Sequence, residues 1–262
     1  KTKRIVTTLE QGDFKVTEDT TEQKIVSFSR ESNLPITLGL LIDTSGSEQG
    51  TLGAEQEAAI RFLDRVLRKG DLAMVISFDS DADLLSSFTD DRQMLERAIR
   101  RARIAGASAP GPMSSDPPGT VFYDAVYLAC QDRLAQEAGR KALVILTDAQ
   151  DNGSRVKVQD AIEAAQRTDT VVHVLLVSDG IANEGVAKKL SEETGGRAIE
   201  VRSEKNLEQA FDQISEELRS QYSLGYYSAN TALDGTFRQL KVESARKDVE
   251  VLSRRGYYAP SN

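Results

Sequence analysis

The chain alternates between short apolar runs and longer amphipathic stretches, and that alternation predicts its elements. Ile36-Thr37-Leu38-Gly39-Leu40-Leu41-Ile42 is rich in branched aliphatics and free of charge, the pattern of a strand buried on both faces of a parallel sheet. Residues 71–78, 141–148 and 170–177 read the same way. Between them, residues 52–69 form a helical pattern with Ala59, Leu63 and Val66 on one stripe. Further helices are predicted over 91–103, 156–168, 184–194 and 206–220, and after Gly119, where Phe122, Val126, Ala129 and Cys130 share a stripe. Residues 84–88 predict a short edge strand and 198–201 a final one. Strands alternating with helices at this spacing predict an α/β fold, a doubly wound and mostly parallel sheet.

The two ends follow a different rhythm. Residues 13–18, part of 23–29, 222–227, 237–243 and 249–253 alternate with the period of two that marks strands. Residues 230–235 form a polar turn, and Asp234-Gly235 is a hairpin signal between the strands on either side of it. Isolated hairpins are barely stable in water, so the two ends are expected to join into one sheet. The domain layout that follows is an α/β domain over 35–220, with 1–34 and 221–262 supplying the strands of an accessory β subdomain.

Composition narrows the classes of function. Of 262 residues, 39% are hydrophobic and 28% charged, enough apolar material for a core and too much for a disordered chain. The net charge of −8 disfavours nucleic acid and acidic membrane surfaces as partners. No stretch approaches the roughly 18 apolar residues of a membrane span, and no secretory leader is read at Lys1-Thr2-Lys3. The single cysteine excludes an internal disulfide.

Candidate chemistry gathers at strand ends. Asp43-Thr44-Ser45-Gly46-Ser47 sets one carboxylate and two hydroxyls, each two residues apart, where the first buried strand stops. In open α/β sheets ligands bind beyond the carboxyl ends of strands. Aspartate and serine oxygens are hard ligands suited to Mg²⁺ or Mn²⁺. The same five residues also suit a plain strand-to-helix turn. Two later positions favour the ligand reading: Thr120 at the start of a helix and Asp148 at the end of a second buried strand.

Over residues 34–220 the chain resembles the von Willebrand factor A domain, whose metal-ion-dependent adhesion site follows the pattern D-x-S-x-S, then a distant T, then a distant D. Asp43, Ser45, Ser47, Thr120 and Asp148 match all five positions. The resemblance implies a Mg²⁺ or Mn²⁺ ion touched by the serines and the threonine, with the aspartates acting largely through water. It further implies an open coordination position that takes an Asp or Glu carboxylate from a protein partner, and therefore a binding module rather than an enzyme. A narrower resemblance links the chain to bacterial VWFA-related proteins of the acidobacterial type. It rests on Phe14 to Ile25 (F-x-V-x-E-D-G-x-x-Q-x-I), Tyr222-Ser223-Leu224-Gly225-Tyr226 and Arg254-Arg255-Gly256-Tyr257-Tyr258. Thr20 stands where that group has glycine, which implies a different turn there. The group implies a secreted, periplasmic or cell-surface location.

Residues 104–119 lack periodicity and hold four of the six prolines, Pro110, Pro112, Pro117 and Pro118. Irregular segments of this length inside compact domains tend to be functional or disordered. Because this one leads into Thr120, Pro112, Met113, Pro117 and Pro118 are read as partner-binding. Two rival readings carry less support. Aspartyl-phosphate hydrolases also place an aspartate at the first strand end, but they need a carboxylate where Ser45 stands, and G-x-x-x-x-G-K-[ST] is absent. A scaffold with a purely structural metal is the other. His173 and Cys130 are read as core residues, Asp151 and Asn152 as turn residues or groups behind the metal ligands, and Arg97, Arg100, Arg101 and Arg103 as a solvated helix end.

Overall fold

The computed structural model describes residues 5–31, 34–104, 119–177 and 181–261. Three short strands come first: β1 (Phe14–Glu18), β2 (Thr21–Gln23) and β3 (Ile25–Glu31). The middle of the chain then alternates: β4 (Ile36–Asp43), α1 (Leu52–Val66), β5 (Leu72–Phe78), β6 (Ala82–Thr89), α2 (Arg92–Ile99), α3 (Phe122–Leu128), β7 (Arg140–Thr147), α4 (Val158–Arg167), β8 (Thr170–Val177), α5 (Glu184–Thr194), β9 (Ala198–Val201) and α6 (Glu204–Arg219). The chain closes with β10 (Gln221–Tyr226), β11 (Phe237–Ser244) and β12 (Gly256–Tyr258).

The middle builds one six-stranded sheet in the order β6-β5-β4-β7-β8-β9. Every pairing is parallel except that of β6, which runs antiparallel along β5 at the edge. This is the doubly wound α/β architecture that the alternating pattern predicts. β4 lies at the centre with all eight residues buried. Its Leu38, Leu40 and Ile42 face the layer of α1, α2 and α6, while Leu41 faces the layer of α3, α4 and α5. Such two-sided burial explains why the strand reads as an unbroken apolar run. At its middle, Gly39 leaves no room for a side chain: a Cβ there would lie 2.4 Å from Leu143 Cδ2 and 2.9 Å from Met74 Cε.

Helix boundaries follow local chemistry more closely than periodicity. α2 begins only at Arg92, because the Asp91 carboxylate accepts the backbone N–H groups of Gln93 and Met94 as an N-cap. α3 passes into a π-helical turn over Ala129–Arg133. Cys130 sits fully buried in that turn, and burial pushes its thiol up to about 12. At the opposite end of the sheet from Asp43, the buried carboxylate of Asp71 accepts the N–H groups of Ile36 and Arg68 at 2.8 and 2.6 Å and pairs with Arg219. It thereby ties β4, α1 and α6 to the start of β5.

His173 is buried in β8 as a core residue, but it is not satisfied. Neither ring nitrogen has a hydrogen-bond partner among the described residues, and Nδ1 lies 3.9 Å from Glu217. Burial pushes it down to about 4; the nearby Glu217 works against this and Arg197 with it.

The ends depart from expectation in three ways. They build two sheets, not one: a four-stranded antiparallel sheet in the order β12-β11-β1-β2, and a two-stranded ribbon of β3 and β10. Strands β10 and β11 do not form the hairpin that Asp234-Gly235 suggests. The turn itself exists, with Gly235 at φ 67°, and Asp234 accepts both the N–H and the hydroxyl of Thr236. Across it, however, lie Pro260 and Ser261. A turn signal fixes the bend and not the strand that lands opposite. Lastly, residues 249–253 are not a strand: Val249 N–H donates to Arg246 O, and the chain just beyond packs on the end of α5, where Arg255 N–H donates to Glu193 O and Gly195 leaves no room for a Cβ beside Arg254 N.

Other contacts hold these strands to one another and to the α/β layers. Phe14, Phe28 and Tyr222 cluster with ring centroids 5.4 to 5.9 Å apart. The guanidinium of Arg167 on α4 lies 4.0 Å from the ring centroid of Tyr258. In the turn between β1 and β2, Asp19 takes the left-handed conformation at φ 53°, next to the Thr20 that replaces the expected glycine. Asp19 also exchanges backbone and side-chain hydrogen bonds with Gln239.

Candidate metal centre

β4 and β7 are parallel neighbours, and their register brings Ile42 beside Leu146. The next residues therefore leave the sheet side by side, Asp43 from β4 and Thr147-Asp148 from β7. Two hydrogen bonds hold the Asp43 carboxylate, and a third holds the threonine that makes one of them. Thr147 Oγ1 donates to Oδ2 at 2.6 Å, Ser45 N–H donates to Oδ1 at 2.9 Å, and Thr147 Oγ1 in turn accepts Ala149 N–H at 3.0 Å. The Ser45 and Ser47 hydroxyls stand 3.0 Å apart on the open side of this loop. Ser45 is half-buried and Ser47 exposed, whereas Asp43 and Asp148 are buried.

Asp148 is fixed from its own loop. Its Oδ1 accepts Gln150 N–H and its carbonyl accepts Asn183 N–H. Ala149, directly after it, is held at φ 58°, a conformation an alanine adopts only under constraint. Thr120 is tied to the same loop. Its N–H donates to Asn152 Oδ1 at 2.5 Å, and its carbonyl accepts the N–H groups of Asn152 and Gly153. A Cβ on Gly119 would come within 3.1 Å of Gly153 Cα, so both glycines serve the close approach of the two backbones. Asp151 adds to the clamp by accepting Tyr123 N–H and the Ser154 hydroxyl. Asn152 and Asp151 thus act on Thr120 and its helix through the backbone. Pro112, Met113, Pro117 and Pro118 lie outside the described residues.

A residue that the sequence reading passed over also belongs here. Glu48, one position beyond Ser47, is fully buried, and one of its carboxylate oxygens lies within 4.8 Å of carboxylate oxygens of Asp43 and Asp148. No basic side chain pairs with any of the three among the described residues. Burial pushes Asp43 up to about 6, with Asp148 adding to the effect and the Ser45 and Thr147 hydrogen bonds opposing it. Burial pushes Glu48 up to about 9, with the charges of Glu55, Asp43 and Asp148 adding to it. The signal was present in the sequence: Glu48, Leu52, Glu55 and Ala59 recur at spacings of four, three and four, which puts two glutamates in phase with the apolar stripe of α1.

The donor set suits a hard divalent cation. The Ser45 and Ser47 hydroxyls lie toward solvent, the three carboxylates are buried, and no sulfur or imidazole is present in the cluster. One carboxylate oxygen, Glu48 Oε1, is buried without a hydrogen-bond partner among the described residues, as expected of a group whose natural counterpart is a cation.

An α/β sheet of this winding, with a D-x-S-x-S loop leaving its central strand, defines a Rossmann-like domain built around a metal-type loop. Residues 38–150 match the family model of the von Willebrand factor type A domain. Among solved structures it is similar to a von Willebrand factor type A protein from Catenulispora acidiphila, with a TM-score of 0.59 and 15% identity, covering 78% of this chain and 52% of that one. It is also similar to BatB from Bacteroides thetaiotaomicron (TM-score 0.54, 19% identity, 71% of this chain and 100% of that one). A third similar structure is proximal thread matrix protein 1 from the mussel byssus with a zinc-occupied MIDAS motif (TM-score 0.60, 15% identity, 76% and 49% covered). In sequence the chain is 26% identical over 184 residues to calcium-activated chloride channel regulator 1 of Bos taurus, covering 67% of this chain. It spans only 18% of that relative's length. Among the described residues no helix is long and apolar enough to cross a membrane.

Proposed function

We propose that this protein is a non-enzymatic binding module that holds a divalent cation, Mg²⁺ or Mn²⁺, through Asp43, Ser45, Ser47, Thr120 and Asp148, and uses it to engage an Asp or Glu carboxylate of a protein partner. The observation that carries this reading is the division of the site into an open hydroxyl side and a buried carboxylate side. When bound, a cation there supplies a positive centre that a partner's carboxylate can complete. The chain's own part is to present Ser45 and Ser47 outward, to hold Asp43 through Thr147, and to place Thr120 through Asn152. The surface is acidic overall, so attraction to a carboxylate has to be local. Screening over roughly 8 Å at physiological salt permits that. Residues 104–119, with Pro112, Met113, Pro117 and Pro118, choose the partner in this reading. The likeness to a byssus matrix protein supports a secreted, periplasmic or surface setting.

The test is capture of partners from the native host's extract, with and without EDTA and with Ser45→Ala. Partners released by both treatments, and by substituting the partner's own acidic residues one at a time, are the expected result. A partner held equally in all three conditions leaves the metal a structural role only. Calorimetry with Mg²⁺ and Mn²⁺ should show binding that Asp43→Ala abolishes.

A further inference from the structure

Two buried carboxylates elsewhere in this protein are surrounded by donors. Asp71 has two backbone N–H groups and Arg219; Glu18 has three hydroxyls. Glu48 differs. Its Oε2 accepts only the Thr51 hydroxyl at 2.9 Å, and its Oε1 is buried with no hydrogen bond among the described residues. The groups that face it are acids: Asp43 and Asp148 from the two strand ends and Glu55 from α1. Acids gathered in this way repel one another in a medium of low polarity, and each proton-free carboxylate needs a positive neighbour.

The spacing identifies that neighbour. Opposed oxygens around an octahedral magnesium lie about 4.2 Å apart, twice a bond of about 2.1 Å, and around calcium about 4.8 Å apart. Oxygens of Asp43, Glu48 and Asp148 fall within 4.8 Å of one another. We propose that Glu48 is a further metal-binding carboxylate of this centre, gripping a divalent cation from the buried side. This rests on the metal-centre reading above and adds a residue to it.

The addition changes what the site does. Two aspartates already balance the charge of a divalent ion, and the hydroxyls add none. With Glu48 ionised as well, the metal is held more strongly and more of its positive field is offset, so an anionic partner gains less by completing the coordination. The site favours staying loaded over binding its partner tightly.

Mn²⁺ is the probe, titrated calorimetrically into the whole chain, with thermal unfolding recorded with and without Mn²⁺. Glu48→Gln keeps the volume and an oxygen for Thr51 while removing the charge. We expect Mn²⁺ affinity at least tenfold weaker in this variant, a smaller Mn²⁺-induced rise in Tm, and a metal-free Tm equal to or above that of the wild type. A purely structural Glu48 would leave the Mn²⁺ affinity untouched. Glu48→Met, an apolar side chain of similar length, repeats the measurement should the glutamine variant fail to fold. If wild type binds Mn²⁺, Asp43→Asn loses it, and both Glu48 variants that fold match wild type, the role of Glu48 is refuted while the metal centre stands. Absence of Mn²⁺ binding by the wild type would overturn both.

Discussion

Two ends of one sheet treat buried acid in opposite ways. At the amino end of β4 and β5, Asp71 is buried, which opposes its charge, but Arg219 and the N–H groups of Arg68 and Ile36 outweigh burial and hold it below the usual carboxylate range. Glu18 in the end-strand sheet behaves alike: burial opposes its charge, but Ser228, Tyr226 and Tyr257 donate to it and Arg238 lies near. At the carboxyl end of β4 and β7, Asp43 and Glu48 are pushed up, because burial there is met by further acids. The first kind of site is complete within the chain and stabilises the fold. The second has no basic partner among the described residues, which is the electrostatic pattern of a candidate binding site rather than a structural one.

The largest test bears on the ends. We propose that 1–34 and 221–262 form one accessory β unit around the α/β domain over 35–220, because β1 lies between β11 and β2 and β3 pairs with β10. Deleting residues 1–30 should open β10–β12 to protease while the core around Val144 stays protected, read by limited proteolysis and mass spectrometry. Continued protection of β10–β12 would show that the C-terminal strands hold without that unit.

Next comes the completed acid site. Asp71→Ala strands a buried Arg219 and should cost about 3–5 kcal/mol in urea unfolding. Glu18→Gln should cost about 2 kcal/mol, the scale of hydrogen bonds to a charged group. In the metal-free protein Asp43→Asn should cost less than either, because it removes a charge that nothing in the chain balances. Equal losses at Asp43 and Asp71 would break the comparison.

His173 sharpens it, being buried like the acids but without a hydrogen bond among the described residues. Its pKa is pushed down to about 4, so below the ordinary value of about 6.5 the unfolded chain takes up a proton that the folded chain refuses. Stability is therefore lost as pH falls from about 6.5 toward 4, by about 3 kcal/mol. Asp43, raised to about 6, works in the other direction over part of that window, because the folded state binds its proton first. The difference between wild type and His173→Leu isolates the histidine. The stability of wild type relative to His173→Leu should fall by about 3 kcal/mol as pH drops from about 6.5 toward 4, and a constant offset would remove His173 from the acid response.

The smallest effect is at the Thr120 clamp. Asn152→Ala removes one acceptor and should lower stability by about 1 kcal/mol. Cation affinity should fall several-fold, because Thr120 is no longer held to the Asp148 loop. Unchanged affinity in calorimetry would assign Asn152 to the turn alone.

Much of this protein was legible before its structure. β4, β5, β7 and β8 declared themselves as apolar runs, and α5 and β9 have the bounds their patterns suggest, because periodicity is a local property of the chain. The spacing of Asp43, Ser45 and Ser47 suited a ligand loop or a plain strand-to-helix turn, and only Thr120 and Asp148 favoured the first. What the sequence could not settle was who faces whom. Asp234-Gly235 makes its turn, but Ser261 lies across it rather than β10, because strand partners are chosen by long-range packing. Residues 249–253 alternate like a strand and yet form none, and the chain just after them lies against the end of α5. Glu48 and Asp71 are both acids beside buried strands. Only the folded neighbourhood, with Arg219 at one end and Asp43, Glu55 and Asp148 at the other, made one a fastener of the fold and the other part of a site. Charge in a protein interior is set by what surrounds it, and those surroundings are assembled from distant parts of the chain.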